Sequence, residues 1–182
     1  MMLEKWSDAF YIAYFQANTN TYGPIEQLRS LYNEALSLDP NIVGLSIATR
    51  CDALDEDVYD LLSELHQKTF LQVELGLQSI HDKTSTFINR GHSLDCFTTA
   101  VRELRKRGIH VIVHIINGFP IETPQDMIDT VLYLNKQDIQ GIKIHLLHIM
   151  KKTALGRQYQ EHPFPILTLA EYKDIVCDQI EL

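Results

Sequence analysis

Polar side chains stand at the ends of several apolar, strand-like runs in this sequence, and these positions are the first candidates for chemistry. Parallel strands bring their carboxyl ends to one edge of a sheet, where loops and helix N-termini converge on bound ligands. Buried charges need partners, so polar groups from several strands that share one hollow are expected to meet there. The set that we expect to share one binding site is Gln16, Arg50, Glu74, Gln78, His114, Lys143 and His145.

The strands that carry this set have two unlike faces. In the run Val73-Glu-Leu-Gly-Leu-Gln78, bulky apolar residues alternate with polar or small ones. Lys143 and His145 share one face of a later strand, and His110 and His114 share one face of the strand before it. A central strand covered by helices on both sides reads as continuously apolar, whereas a barrel strand has one face in a lumen. The alternation therefore favours a lumen that holds a polar ligand.

Strand and helix patterns alternate along the whole chain. We predict strands over 10–16, 43–49, 71–79, 110–118 and 141–149. We predict helices over 25–38, 55–66, 95–107, 124–136, 154–160 and 168–181. This order implies parallel pairing through right-handed crossovers, in an open doubly wound sheet or a barrel. Because a closed barrel needs eight such units, the predicted fold class is α/β, a partial (β/α) TIM-type barrel in one domain over 1–182, and a barrel fragment is the favoured form.

Composition limits the classes of function. The chain has 182 residues and a net charge of −8, so a broad nucleic-acid surface is disfavoured, because phosphate binding uses clustered Lys and Arg. One local basic patch remains as a candidate, and it consists of Arg102, Arg105, Lys106 and Arg107. No apolar run approaches the roughly 18 residues of a membrane span, and no signal peptide pattern is visible. We therefore expect a cytoplasmic protein with no membrane partner.

Metal and nucleotide motifs are scarce. Cys51, Cys96 and Cys177 are scattered and never stand at C-x-x-C spacing, which is typical of a reducing compartment and predicts no metal site from these residues. The strand histidines His110 and His114 lack the third ligand and second shell of a zinc site. Phosphate-loop and Rossmann glycine patterns are both absent. These observations disfavour a zinc enzyme, a nucleotide hydrolase and an NAD-dependent enzyme.

A turn follows the fourth predicted strand. Residues 118–123 read Gly-Phe-Pro-Ile-Glu-Thr and lead directly into a helix. Gly118 at such a junction allows a tight turn that brings backbone N–H groups close to a ligand. Similar turns are common in proteins without a ligand there, so the motif is a weak indication of a site.

Several ordered runs resemble the radical S-adenosylmethionine (SAM) superfamily, in the branch of the Elongator catalytic subunit and coproporphyrinogen oxidase. The runs are Val73-Glu-Leu-Gly-Leu-Gln-Ser-Ile80, Asn89-Arg-Gly-His92 and Ile115-Ile-Asn-Gly-Phe-Pro-Ile-Glu-Thr123. Three more narrow the resemblance to the YhcC-like group of Fe-S oxidoreductases, namely 14–22, 46–50 and 143–148. The resemblance implies a fragment of a (β/α)6 barrel, with SAM and a [4Fe-4S] cluster as cofactors. In this family SAM is cleaved reductively to a 5'-deoxyadenosyl radical, which abstracts hydrogen from a substrate.

The resemblance also implies roles for individual residues. Gln78 and Arg90 match the positions that hold SAM, with the planar guanidinium of Arg90 suited to a carboxylate. His114 matches a position where relatives often have a ribose-binding acid, and Ile116 one that packs the adenine. Weaker matches and strand-end positions complete the candidate cofactor-binding set with Gln16, Asn18, Arg50, Glu74 and Gly118.

The family's Cys-x3-Cys-x2-Cys cluster motif does not occur in this chain. We therefore expect the chain to lack the first strand and cluster loop, and to be inactive by itself. By family analogy the partners are a reductant such as flavodoxin or ferredoxin and an unknown substrate, with tRNA as one candidate. Two alternatives stay open at this point: a non-catalytic barrel module that binds a nucleotide-like ligand or a partner protein, and a lyase or aldolase that uses Lys143 as a Schiff-base amine.

Overall fold

The computed structural model describes residues 9–182, and there it contains one sheet of five parallel strands. The strands are β1 (Tyr11–Phe15), β2 (Ile42–Thr49), β3 (Phe70–Gln78), β4 (His110–Asn117) and β5 (Gly141–Leu146). They lie in the sheet in chain order, from β1 to β5. A doubly wound sheet reverses its strand order at a switch point, so this uninterrupted order confirms the barrel-type α/β fold predicted from sequence.

Helices connect the strands and cover the convex face of the sheet. They are α1 (Ile25–Ser37), α2 (Glu56–His66), α3 (Asp82–Phe87), α4 (Leu94–Lys106), α5 (Pro124–Leu134), α6 (Ala154–Glu161) and α7 (Leu169–Ile180). The side chains of Asp55, Ser93 and Thr123 each accept a hydrogen bond from a backbone N–H in the first turn of the helix that follows. Such N-caps satisfy donors that a helix leaves unpaired, which fixes where α2, α4 and α5 begin.

The hydrophobic core lies between the sheet and these helices. The outward-facing residues of the three central strands have no measurable exposure in most cases, and they pack against Leu62, Leu65 and Leu104 from the helices. These strand residues are Leu45, Ile47, Val73, Leu75, Val111 and Val113. Because every second residue enters this core, the residues between them must point to the concave face.

The sheet is strongly curled about that concave face. Strands β1 and β5 are four spacings of about 4.8 Å apart along the sheet, or roughly 19 Å. Yet the Nζ of Lys143 in β5 lies 4.6 Å from the ring centroid of Tyr14 in β1 and 3.4 Å from its hydroxyl oxygen. The two edge strands therefore face each other across a half-barrel lumen.

The structure differs from the sequence-based elements in a few places. Helix α3 was not predicted, because six residues are too few for a clear helical period. Strand β5 ends at Leu146 rather than at residue 149, since its neighbour β4 ends at Asn117, the partner of Leu146. The first residues of the chain, 1–8, lie outside the described residues.

Two further expectations concern the chain as a whole. A single domain over 1–182 stays a prediction; a buried amide pair joins α7 to the barrel, with Asn117 Nδ2 donating to Gln179 Oε1 at 2.7 Å. Across residues 9–182, no helix combines the length and the apolar character that a membrane crossing requires.

Candidate functional site

The middle of the lumen is built around the carboxylate of Glu74. This side chain is 1% exposed, and four strands contribute donors to it. Its Oε1 accepts hydrogen bonds from Ser46 Oγ at 2.6 Å and Lys143 Nζ at 2.7 Å. Its Oε2 accepts from Tyr14 Oη at 2.7 Å and also lies 2.6 Å from His114 Nε2. A buried carboxylate with this many donors is fully satisfied and ties the strands together.

Ionisation of this cluster follows from the same contacts. Burial acts to raise the pKa of Glu74, but the hydrogen bonds from Lys143, Ser46, Tyr14 and His114 outweigh it and lower that pKa to about 2. Burial acts to lower the pKa of Lys143, and the hydrogen bond to Glu74 raises it above its ordinary value. Lys143 is therefore a charged ammonium at neutral pH. This disfavours the Schiff-base alternative, which requires a neutral amine.

Above Glu74, the end of β3 departs from regular strand geometry at Gln78. Gln78 has φ +63° and sits at a shift in the β3/β4 register. The N–H of Ser79 donates to the carbonyl of Leu77 at 2.8 Å, so Gln78 is the centre of a tight three-residue turn. The Gln78 side chain occupies the space that a side chain at Gly76 would need, because a Cβ there would lie 2.6 Å from the side-chain nitrogen of Gln78. The Gln78 amide thus folds back over β3 into the lumen.

Arg90 holds this turn in place. Its Nη1 donates to the carbonyls of Leu77 and Ser79, at 2.9 and 2.6 Å, on either side of Gln78. Its Nε donates to the carbonyl of His92 at 3.1 Å. The side chain belongs to a residue only 5% exposed, and its Nη2 is buried without a hydrogen-bond partner. The family resemblance implied a planar guanidinium suited to a carboxylate; in the structure Nη1 and Nε bond backbone carbonyls and Nη2 has no hydrogen-bond partner.

Arg90 also lacks a carboxylate to balance its charge among the ion pairs of the described residues. Burial lowers its pKa, yet an arginine stays protonated at neutral pH. Arg50, which also lines the cavity, differs in this respect because it forms two bonds to Asp52, at 2.9 and 2.6 Å. Among the described residues, Arg90 thus differs from Arg50 in lining the cavity without a direct ion pair and with a buried, unpartnered Nη2.

A cavity of about 460 Å³ opens at the carboxyl ends of the strands between these groups. This is the size range of small-molecule sites. Seven of the nine residues predicted to bind the cofactor line it, which are Gln16, Asn18, Arg50, Glu74, Gln78, Arg90 and His114, and His145 of the strand-end set lines it as well. The structure thus brings together predicted cofactor-binding side chains that are up to 98 positions apart in the sequence, from Gln16 to His114.

Two predicted residues lie apart from this cavity's lining. Ile116 lines an adjoining cavity of about 390 Å³, which shares Gln78, His114 and His145 with the first. Gly118 lines neither; it has φ +98°, and a Cβ there would contact Leu167 at 3.2 Å. Its conformation serves the turn from β4 into α5, where Leu167 leaves little space for a side chain, so it has a packing reason independent of any ligand.

Sequence reasoning missed several residues of the site. Tyr14 lines the cavity and bonds Glu74, and its position two residues before Gln16 on one strand face was an available signal. Ile88, Asn89 and His92 also line the cavity. They come from the segment after α3, where no period marks which side chains turn inward.

The basic patch suggested by sequence is largely neutralised by acidic neighbours. Lys106 and Arg107 pair with Glu103 at 2.7 and 3.0 Å, and Arg107 also pairs with Glu56 at 2.6 Å. Arg105 pairs with Asp138 at 3.1 Å. The patch therefore offers little free charge for phosphate binding.

The cysteines do not form a cluster site. Cys51 is buried beside His92, with its Sγ 3.1 Å from Nδ1, whereas Cys177 is exposed on α7. Within residues 9–182, no group of three or more His, Cys, Asp or Glu side chains is arranged to hold a metal ion. The described residues thus do not fit an iron-sulfur cluster, while the unpartnered Nη2 of Arg90 and its cavity do fit a small ligand that carries a carboxylate.

A curled parallel half-barrel with a polar cavity at its strand ends is the architecture of a (β/α)-barrel enzyme domain. A sequence model described as the radical SAM superfamily matches residues 3–134, and one described as the radical SAM C-terminal domain matches residues 139–182. The chain belongs to the radical SAM superfamily. Enzymes of this family use SAM and a [4Fe-4S] cluster.

Sequence relatives agree with this assignment. The chain is 49% identical over 181 residues to the uncharacterized protein YtqA of Bacillus subtilis, covering 100% of this chain and 56% of the relative. It is 38% identical over 163 residues to protein YhcC of Escherichia coli, covering 89% and 52%. A shorter match, 37% over 78 residues, joins 42% of the chain to 15% of a tRNA-2-methylthio-N(6)-dimethylallyladenosine synthase of Shewanella baltica. The chain spans about half the length of its two longer-matching relatives.

Solved structures confirm the fold. The archaeal Elp3 of Methanocaldococcus infernus superposes with a TM-score of 0.84 at 21% identity, over 98% of this chain and 47% of that one. Coproporphyrinogen III oxidase of Escherichia coli, a radical SAM enzyme, superposes with a TM-score of 0.71 at 18% identity, over 90% and 37%. The partial-barrel prediction is therefore confirmed by structures as well as by strand order.

Proposed function

We propose that this chain is the SAM-binding barrel part of a radical SAM oxidoreductase, and that SAM binds in the 460 Å³ cavity at the strand ends. One observation carries the proposal: in the described part of the chain, the Arg90 guanidinium lines the cavity beside Gln78 with a buried, unpartnered Nη2 and no direct ion pair. A charged donor left unpaired in a protein interior is costly unless a ligand completes it. The carboxylate of SAM is the group that would do so.

The other cavity residues support the same ligand. The Gln78 amide can donate to and accept from polar groups of the methionine part of SAM. Ile116 offers an apolar surface beside the cavity, suited to the adenine ring, and Asn18 and Gln16 lie on the opposite rim. Bound SAM would supply the radical precursor of the family's chemistry. These residues would bind it, orient it and exclude water from it.

Calorimetric titration of SAM into the chain tests this proposal. We expect measurable binding by the unmodified chain, and Arg90→Lys to weaken it by about 10-fold to 100-fold, because a hydrogen bond between charged groups contributes about 1.5 to 3 kcal/mol. Lysine keeps the charge but lacks the planar guanidinium, whose separate nitrogens reach the two carbonyls and the ligand at the same time. Arg102→Ala is the matched control, since Arg102 is an exposed arginine outside the cavity.

Different results would support other readings. Equal SAM affinity of the Arg90→Lys variant and the unmodified chain would contradict the assigned role. Tight binding of adenosine or ATP without binding of SAM would favour the non-catalytic, nucleotide-binding alternative. Thermal unfolding of each variant checks that the loss of affinity is not a loss of folding, since Arg90 also holds the Gln78 turn.

The substrate and the reductant belong to this proposal as well. The match to a tRNA-modifying synthase makes tRNA a candidate substrate of the whole protein. The net charge of −8 and the neutralised basic patch give no support for a tRNA surface on this part of the chain. A flavodoxin or ferredoxin is the proposed electron donor. The cluster's ligands are not among the described residues, so we expect the isolated chain to cleave no SAM.

A further inference from the structure

A chain of hydrogen bonds runs from the centre of the lumen to its rim. Oε2 of Glu74 lies 2.6 Å from Nε2 of His114, and Nδ1 of His114 lies 3.0 Å from Nε2 of His145. The two imidazole rings are nearly parallel, at an interplanar angle of 21°. Glu74 is buried and His145 is exposed, with His145 lining both cavities.

The ionised carboxylate of Glu74 determines which group donates in each hydrogen bond of this chain. Glu74 is ionised at neutral pH and can only accept, so Nε2 of His114 must donate to it. In neutral His114, Nδ1 is then an acceptor, and Nε2 of His145 must donate to it. This leaves Nδ1 of His145 with an open lone pair at the cavity wall. A carboxylate behind an imidazole fixes tautomer and orientation in the same way in known acid–base sites.

We propose that His145 is the acid–base residue of this cavity, exchanging a proton at Nδ1 with a hydroxyl or amine group of the substrate, and that His114 and Glu74 position it. The proposal rests on the proposed function, because it takes the two adjoining cavities that His145 lines as the place where a substrate meets bound SAM. In the forward step an O–H or N–H bond of the substrate breaks and an N–H bond forms at Nδ1. The electron pair stays on the substrate, and the step needs no oxidant or reductant.

The charges around His145 suit a base at neutral pH. Groups that face it are His114 from β4, Lys143 from its own strand, Glu74 from β3 and His148 from the segment after β5. Burial first, and then the electrostatic influence of the neighbouring His114 and of the Lys143 ammonium, lowers the pKa of His145, while Glu74 opposes them. The ring is thus neutral before the substrate binds, and the bond to His114 stabilises the imidazolium that forms when it takes a proton.

Nitrogen-15 NMR of the imidazole rings tests the chain of bonds directly. We expect slowly exchanging Nε2 protons on both His114 and His145, and a protonation midpoint of His145 below that of a free imidazole. Glu74→Gln removes a negative charge, so this midpoint should fall further. Since the buried variant may affect folding, His114→Phe is the second test: it keeps a stacked ring but removes the acceptor, and the slow Nε2 proton of His145 should disappear.

Acylation by diethyl pyrocarbonate, read residue by residue in a mass spectrometer, tests the open nitrogen. An imidazole nitrogen with a free lone pair attacks a carbonyl carbon of the reagent, and ethyl carbonate leaves. His145 should react at a rate that follows its deprotonation, whereas His114 should be protected because both of its nitrogens are engaged. His110→Gln is the matched control, a histidine on the same face of β4 that contacts Phe70 instead, and it should change neither signal.

Faster acylation of His114 than of His145 would overturn the proposal, as would a midpoint of His145 that is the same in Glu74→Gln and in the unmodified chain. Both measurements are made without SAM. The NMR and acylation results can therefore contradict the role of His145 while calorimetry still shows SAM binding. Likewise, they can support the role of His145 while calorimetry shows no SAM binding.

Discussion

Two neighbouring regions of the lumen differ in whether a buried charged side chain has an ion-pair partner. In the centre, the Glu74 carboxylate has an ammonium and several further donors around it, and Lys143 balances its charge. At the rim, Arg90 has backbone carbonyls as its acceptors, keeps an unpartnered Nη2 and forms no ion pair with a carboxylate among residues 9–182. A satisfied buried network stabilises one arrangement of the strands. A half-satisfied one is costly and persists where a ligand completes it. The centre is therefore expected to govern stability, and the rim to govern binding.

The largest effect should come from removing the central carboxylate. Glu74→Ala leaves Lys143, Tyr14 and Ser46 without their common acceptor, and removing one partner of a buried charged network costs about 3 kcal/mol. Part of this is offset because the Lys143 side chain is 39% exposed and can reach water. Urea unfolding at neutral pH measures the difference. Glu34→Ala, an exposed glutamate on α1, is the control and should change stability by less than about 0.5 kcal/mol.

The pH dependence of stability sharpens the same contrast. The folded-state pKa of Glu74 is about 2, below its ordinary value of 4.5. Its contribution is therefore fully present above about pH 4.5 and is lost as the pH falls towards 2. The stability difference between the unmodified chain and Glu74→Gln, measured by urea unfolding in steps from pH 6 to pH 2.5, should shrink across this interval. A difference that stays constant down to pH 2.5 would show that the charge of Glu74 contributes nothing.

The two regions also differ in how well sequence predicts them. The centre follows from strand parity, because alternate residues share a face, and so Glu74, His114 and Lys143 were expected in one lumen. The rim does not follow from any local pattern. The hold of Arg90 on the carbonyls around Gln78 depends on a register shift and on the space above Gly76, and both arise only when strands pack. For the same reason, the sequence does not predict that backbone carbonyls engage Nη1 and Nε of Arg90 and leave Nη2 as its unpartnered nitrogen.

The smallest effect we predict concerns Glu122, which links the two loops behind the rim. Its Oε1 accepts from Ser79 Oγ at 2.5 Å and from Thr84 Oγ1 at 2.6 Å, and the carbonyl of the same Ser79 accepts from Arg90. Glu122→Gln weakens these bonds, so we expect a loss of about 1 kcal/mol in stability and a several-fold weaker SAM affinity. Thr84→Val is the control, because it removes one bond to Glu122 but keeps the Ser79 contact, and it should alter SAM affinity less than Glu122→Gln does. Equal SAM affinities of both variants and the unmodified chain would mean that the turn at Gln78 alone holds Arg90 in place. The bonds of Glu122 to Ser79 and Thr84 would then contribute nothing to the rigidity of the rim.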